Sequence, residues 1–174
     1  MAKRIPDRLN WAVQVLAVDP ADRLLEIGCG TGVAVSLICQ KLVSGKIFAV
    51  DQSEAMIKKA TSANLQHIAS GRAAFQTVSL AEAEFGNERF NKIFAVNVNV
   101  FWQQPTRELE IIESLLNGQG ILYLFYEPPL VSKAGEIVNK LTRVLPDNGF
   151  TVIDVLSKDL KPVPVVCVIA EASR

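Results

Sequence analysis

The chain has 174 residues, 49% of them hydrophobic and 21% charged, enough for one packed domain and too apolar for a disordered segment. Its 18 basic and 18 acidic residues leave a formal net charge of zero, and no run of Lys or Arg stands out, which argues against a nucleic-acid partner held by phosphate charge. Three cysteines, Cys29, Cys39 and Cys167, form no CxxC pair, so zinc or dithiol redox spacing is absent. An odd count of thiols suits a reducing cytoplasm.

The opening Met1-Ala2-Lys3-Arg4 has the charge of a signal-peptide start, but Pro6, Asp7, Arg8, Asn10 and Gln14 interrupt any apolar run behind it. Apolar stretches elsewhere are strand-length, so no membrane span is expected. Residues 6–17 read as a short helix, with Leu9, Val13 and Leu16 on one face and Pro6 where a missing amide costs little. Residues 23–27 read as a buried strand that runs into Gly28-Cys29-Gly30-Thr31-Gly32, too glycine-rich for an element interior. A helix follows, with Val33, Leu37, Ile38 and Leu42 at helical spacing, and Gly45 ends it.

Residues 46–51 form a second buried strand that ends in Asp51. Ser53 is a good N-cap for a helix through Met56, Ile57 and Ala60 that reaches Gly71 in one or two pieces. A third strand is expected at 73–78, a loop or helical turn at 81–89, and a fourth strand at 90–98. Pro105 opens a helix that ends near Gly118, and 121–126 is a fifth strand, stopped by Pro128-Pro129. Residues 131–145 read as a helix closed by Pro146 and Gly149, and two strands follow at 150–156 and 163–170.

Alternating strands and helices imply an α/β fold, a doubly wound and mainly parallel sheet with helices on both faces. The near-continuous apolar strands agree, because parallel strands are covered on both sides. Residues 157–162 are too few for a parallel crossover, so the last two strands form a C-terminal antiparallel hairpin. No repeat or linker divides the chain, and residues 1–174 are taken as one domain.

The informative stretch is the glycine loop. Glycines allow positive φ and leave no Cβ in a ligand's way, and the helix start behind them offers free amides. Asp51 ends the next strand about twenty residues further on, which in a doubly wound sheet brings a carboxylate over the same crevice. Nicotinamide enzymes typically show G-x-G-x-x-G, and here the place of the third glycine holds Val33. A tight turn with no ligand is the other reading of the loop.

Leu25-Glu26-Ile27-Gly28-Cys29-Gly30-Thr31-Gly32 resembles the first motif of the class I S-adenosylmethionine-dependent methyltransferases, and Asp51-Gln52-Ser53 with Met56 is similar to that family's second-strand end and next helix. Residues 90–95 and Gly118-Gln119-Gly120 fit its fourth strand and the approach to its fifth. The resemblance implies a Rossmann-like sheet of seven strands, the last inserted antiparallel between the fifth and sixth. It implies S-adenosyl-L-methionine as cofactor, with Gly28, Cys29, Gly30 and Gly32 against its methionine and ribose and Glu26 holding the loop or meeting the ammonium. Asp51 would take the ribose hydroxyls, Gln52 and Met56 the adenine, and Asn97 the methionyl group and acceptor. Two places depart from the family by lacking a carboxylate: Ser79 after the third strand, and Asn91 where relatives carry Phe-Asp.

At the strand ends, Trp102 and Tyr126 are candidate substrate residues, and Glu127 is the candidate base for a hydroxyl acceptor. His67 reads as a surface residue away from the crevice, and Cys29 as a small loop residue rather than a nucleophile. The expected activity is methyl transfer to a small molecule, without a metal. The competing reading, motivated by Ser79 and Asn91, is a non-catalytic relative that binds the cofactor or a protein. The crevice is open, covered by the N-terminal helix, or closed by the second subunit of a homodimer.

Overall fold

The computed structural model describes residues 4–173; the charged opening Met1-Ala2-Lys3 and Arg174 lie outside the described residues. Five strands alternate with helices: β1 (Arg23–Ile27), β2 (Lys46–Asp51), β3 (Ala73–Thr77), β4 (Phe90–Val96) and β5 (Leu116–Tyr126). With β6 (Phe150–Lys158) and β7 (Val165–Ala172) they form one seven-stranded sheet of order β3-β2-β1-β4-β5-β7-β6. Neighbours through β5 pair in parallel, with Leu25 beside Phe48 and Ile93, while β7 runs antiparallel between β5 and β6. The expected topology is thus observed, including the reversed last strand.

Successive side chains point to opposite faces, and both faces are covered. Leu25, Ile93, Ala95, Leu122 and Leu124 pack with α6 (Thr106–Leu115) and α7 (Val131–Asp147). Leu24, Ile47, Phe94, Phe125 and Cys167 pack on the other face with α1 (Asp7–Leu16) and α2 (Val33–Cys39). A fully buried aliphatic or aromatic side chain contributes roughly 1.5–3 kcal/mol, so this double core dominates stability. Glu26 lies between Leu24 and the loop, on the α1–α2 face, where alternation delivers a carboxylate into an otherwise apolar layer.

Several boundaries differ from the sequence reading. Of the one or two pieces expected up to Gly71 the chain forms two, α3 (Glu54–Ala63) and α4 (Leu65–Ala69), separated by Asn64, which is fully buried. The break turns the next residues, so Leu65 is 63% exposed and His67 only 5%. His67 is therefore a buried residue, not a surface one, and burial, aided by the charge of Arg72, lowers its pKa.

β4 stops at Val96 rather than 98, because Asn97 takes a left-handed φ of 59°. A short helix, α5 (Val100–Gln103), follows. β5 begins at Leu116 and not after the glycines; Gly120 packs so closely that a Cβ would lie 2.8 Å from the Phe90 carbonyl oxygen. α7 runs through Pro146 to Asp147, since a proline in a last turn removes only one amide from the ladder.

Candidate active site at the strand ends

The crevice forms where β1, β2 and β4 end. Gly28 and Cys29 both donate backbone N–H bonds to the Val50 carbonyl, at 2.8 and 3.1 Å, which ties the loop to β2. Asp51 completes the tie. Its Oδ2 accepts from Gly30 N–H and its Oδ1 from Ser53 N–H, each at 2.9 Å. Each oxygen keeps a second lone pair for a ligand. Ser53 caps α3, its hydroxyl accepting from Met56 N–H at 3.3 Å.

The glycines differ in what demands them. A Cβ on Gly28 would lie 2.7 Å from Val98, and one on Gly32 would lie 2.9 Å from both Ala60 and the Asn64 amide. A Cβ on Gly30 would meet nothing within 4 Å. Of the three, only Gly30 would point an added Cβ into open space. Asn64 went unnoticed in the sequence. Its Nδ2 donates to the carbonyls of Gly32 at 3.1 Å and Ala60 at 2.9 Å, fastening α3 to the loop. Nothing in a one-dimensional pattern separates this asparagine from a helix-ending one.

Glu26 is 3% exposed, and its Oε2 has no hydrogen-bond partner among the described residues. Burial, and then the negative charge of Asp51, push its pKa from the ordinary 4.5 up to about 8. It lines a cavity of about 420 Å³ with Gly28, Cys29, Gly30 and Asn97, roofed by Arg4, Arg8 and Leu9. Burial raises the Cys29 thiol, so this cysteine is no nucleophile near neutral pH.

On the other side of the loop, a cavity of about 260 Å³ holds Asp51, Gln52, Val78 and Ser79. An outer one of about 460 Å³ shares Gln52, Val78 and Ser79. Met56 lines neither. The Ser79 hydroxyl donates to Glu82 Oε2 at 2.6 Å. Asn91, in contrast, accepts from Arg23 N–H at 2.8 Å at the opposite end of the sheet. Its missing charge therefore does not touch the crevice, and half the motive for a non-catalytic reading falls away.

A fourth cavity, about 540 Å³, lies beyond Asn97 and is lined by Asn99, Trp102, Tyr126, Glu127, Pro128, Lys133 and Ile137. Asn97 belongs to both this cavity and the one over Glu26. Its Oδ1 accepts from Glu127 N–H at 2.7 Å, which helps to hold its left-handed backbone. The Glu127 carboxylate accepts from Arg8 at 3.2 Å, linking α1 to the end of β5. The Tyr126 hydroxyl donates to the Val98 carbonyl at 2.6 Å, and burial raises its pKa. The Trp102 indole N–H is buried and has no partner among the described residues, while Lys140 Nζ sits 4.8 Å from the ring centroid.

An acid buried without a partner, a second acid with spare lone pairs and an open glycine suit a ligand that carries an ammonium and a vicinal diol. S-adenosylmethionine has both. The strand order, the reversed β7 and the glycine loop facing an acid define the Rossmann-like methyltransferase fold. A family profile described as a methyltransferase domain matches residues 18–161. The chain belongs to the S-adenosylmethionine-dependent methyltransferase family, and S-adenosylmethionine is its cofactor.

Among relatives, an uncharacterized methyltransferase, YdaC, of Bacillus subtilis is 24% identical over 167 residues, 93% of this chain and 90% of that protein. The trans-aconitate 2-methyltransferase of Escherichia coli O157:H7 is 32% identical over 124 residues, 67% of this chain but 44% of that protein. Among solved structures, magnesium protoporphyrin IX methyltransferase from Synechocystis, with bound S-adenosylhomocysteine, has a TM-score of 0.73 at 18% identity, covering 97% of this chain and 82% of that one. No described helix is long and apolar enough to cross a membrane, and no group of three or more metal-ligating side chains occurs among the described residues.

Proposed function

We propose that the chain is a single domain that methylates a small-molecule acceptor seated beside Trp102. The observation that carries this reading is the position of Asn97, which borders both the Glu26 cavity and the Trp102 cavity. A cofactor in the first and an acceptor in the second meet at one residue.

S-adenosylmethionine, when bound, supplies an electrophilic methyl group on its sulfonium. Ionised Glu26 pairs with the ligand ammonium and Asp51 accepts from the ribose hydroxyls. The backbone of the loop, fastened by Asp51 and Asn64, lies against the methionyl end. The protein's remaining task is placement, with the acceptor atom in line and about 3 Å from the methyl carbon, in a site with little water. Arg8 and α1 roof that space. For a hydroxyl acceptor Glu127 takes the proton, and its ion pair with Arg8 then opens or shares the charge.

The apolar walls of Trp102, Pro128 and Ile137, with Asn97 and Asn99 as polar contacts, suit a compact, partly apolar acceptor. One relative is named for a small molecule, trans-aconitate. Zero net charge speaks against a nucleic-acid substrate, and three free, buried thiols suit the cytoplasm.

Calorimetry with S-adenosylhomocysteine tests the cofactor half of the reading, and a methyl-transfer screen of small acids, phenols and thiols tests the other. Micromolar binding, about 8 kcal/mol, together with turnover of at least one acceptor is the expected result. Binding without turnover on any acceptor class would favour the non-catalytic alternative.

A further inference from the structure

The cavity beside Trp102 has one cation more than its acids use. Its lining holds two carboxylates, Glu127 and Glu136, and a single cation among the described residues, Lys133. Each acid also has a cation that stands outside the lining. Arg8 reaches Glu127 Oε1 at 3.2 Å from α1, and Lys140 reaches Glu136 Oε1 at 3.2 Å from one turn further along α7. Lys133 binds the other oxygen of Glu136, Oε2, at 2.6 Å. Glu136 thus carries two lysines where one would neutralise it, and together they hold its carboxyl below the usual range.

The two lysines are not equivalent. Lys140 is engaged on two sides, by Glu136 and by the face of Trp102, whose ring centroid lies 4.8 Å from Nζ. Lys133 Nζ has Glu136 alone as partner among the described residues, and its side chain is half exposed where it lines the cavity. An ammonium has three donors, so two remain for a ligand while the bond to Glu136 persists. Pairs of this spacing on an exposed helix add little to stability, so folding does not call for the second lysine. A partly apolar cavity with one surplus cation suits a ligand with one negative charge, because a carboxylate taken out of water needs a cation to offset its lost hydration.

We propose that the acceptor is a compact hydroxy acid, bound through its carboxylate to Lys133 and methylated on its hydroxyl beside Glu127. This assignment rests on the methyl-transfer reading above. Cation and base belong to different walls: Lys133 lies in the first turn of α7, and Glu127 follows β5 beside Asn97, which borders the Glu26 cavity. The hydroxyl oxygen bonds to the methyl carbon as that carbon's bond to sulfur breaks. The electron pair of the broken bond stays on sulfur, and the hydroxyl proton passes to Glu127. The carboxylate is not consumed, and the product is the methyl ether of the acid.

The test is a methyl-transfer assay on hydroxybenzoates, hydroxyphenylacetates, lactate and malate, each beside its carboxamide, which keeps the hydroxyl and loses the charge. At least one acid is expected to be turned over to its ether, with a KM about ten- to a hundredfold below that of the amide, the range of a hydrogen bond to a charged group. Lys133→Gln should raise the KM of that acid at least tenfold, leave the KM of the amide as it was and change kcat little. Lys133→Arg should restore the preference, and unchanged thermal midpoints show that both variants fold. Amides used as well as acids, an ester as product, or a preference that survives in Lys133→Gln would overturn the role of Lys133 and leave the methyltransferase reading standing. Protein that binds S-adenosylhomocysteine but turns over none of these compounds overturns the hydroxy-acid assignment, and turnover of an uncharged acceptor outside the panel would still uphold methyl transfer. Folded protein that does not bind S-adenosylhomocysteine ends both.

Discussion

The charge of Asp51 adds to the burial of Glu26 in pushing that residue's pKa from 4.5 up to about 8, although the two acids stand on neighbouring strands and serve different parts of one ligand. Two carboxylates in one crevice make the unliganded site costly, and a bound ammonium offsets that cost.

This coupling predicts a pH dependence with a definite sign. Between pH 4.5 and 8 the folded protein keeps a proton on Glu26 that the unfolded chain has lost. The contribution of this group to stability therefore falls as pH rises through that window, by up to about 1.4 kcal/mol per pH unit. Urea denaturation at several pH values should show the stability gap between Glu26→Gln and wild type moving in the variant's favour as pH rises. Cofactor binding should release a proton, seen as a calorimetric enthalpy that depends on the buffer, and affinity should climb toward pH 8. A pH-independent gap would contradict the buried, protonated Glu26.

Asp51 has a double duty, and two variants separate its parts. Asp51→Ala loses the acceptors for Gly30 and Ser53 together with the ribose contact. It should cost about 1–2 kcal/mol of stability and at least tenfold in affinity. Asp51→Asn keeps one acceptor oxygen, so it should recover part of the thermal midpoint while affinity stays low. Equal midpoints for the two variants would show that the loop does not hang on this side chain.

Among the glycines, position decides the outcome. Gly32→Ala places a Cβ 2.9 Å from Ala60 and Asn64 at a φ of 73°, so it should destabilise by about 1–3 kcal/mol. Asn64→Ala should cost a similar amount, because it strips two bonds from a buried site. Gly30→Ala carries only the strain of its φ of 53° and should lose affinity for S-adenosylhomocysteine more than stability. Chemical denaturation beside calorimetry on the three variants distinguishes these patterns.

Trp102 offers a reporter for the unknown acceptor. It lines the cavity beyond Asn97, whereas Trp11 is buried edge-on against Phe125 in the core. Acceptor-like compounds should change the tryptophan fluorescence of wild type, and Trp102→Phe should abolish that change while Trp11 still emits. A signal that survives in Trp102→Phe would locate the compound elsewhere.

Much of this architecture was legible from hydrophobic pattern and loop chemistry. Both β1 and β2 fall where short apolar stretches, Leu24-Leu25 with Ile27 and Ile47-Phe48-Ala49-Val50, meet a glycine loop and an acid. The hairpin of β6 and β7 followed from loop length alone. Contacts between distant segments were not legible. Asn64 reaches Gly32 across 32 positions, and Arg8 reaches Glu127 across 119. The burial of His67 was not legible either, because it depends on the turn that Asn64 makes between α3 and α4. Asn91 and Ser79 looked alike as missing acids; one lies at the far end of the sheet, and the other holds an acid in place.

The roof over the Glu26 cavity has a practical side. Arg4, Ile5 and Pro6 line the same space as Gly30 and Asn97. An affinity tag fused just before Arg4 would sit at the mouth of that cavity and compete with ligands for it. Ser173, by contrast, pairs with Gly149 beside a polar hollow where β5 begins, away from the glycine loop. Fusion partners, dyes and surface-immobilisation handles belong at the carboxyl end, where they leave ligand traffic undisturbed.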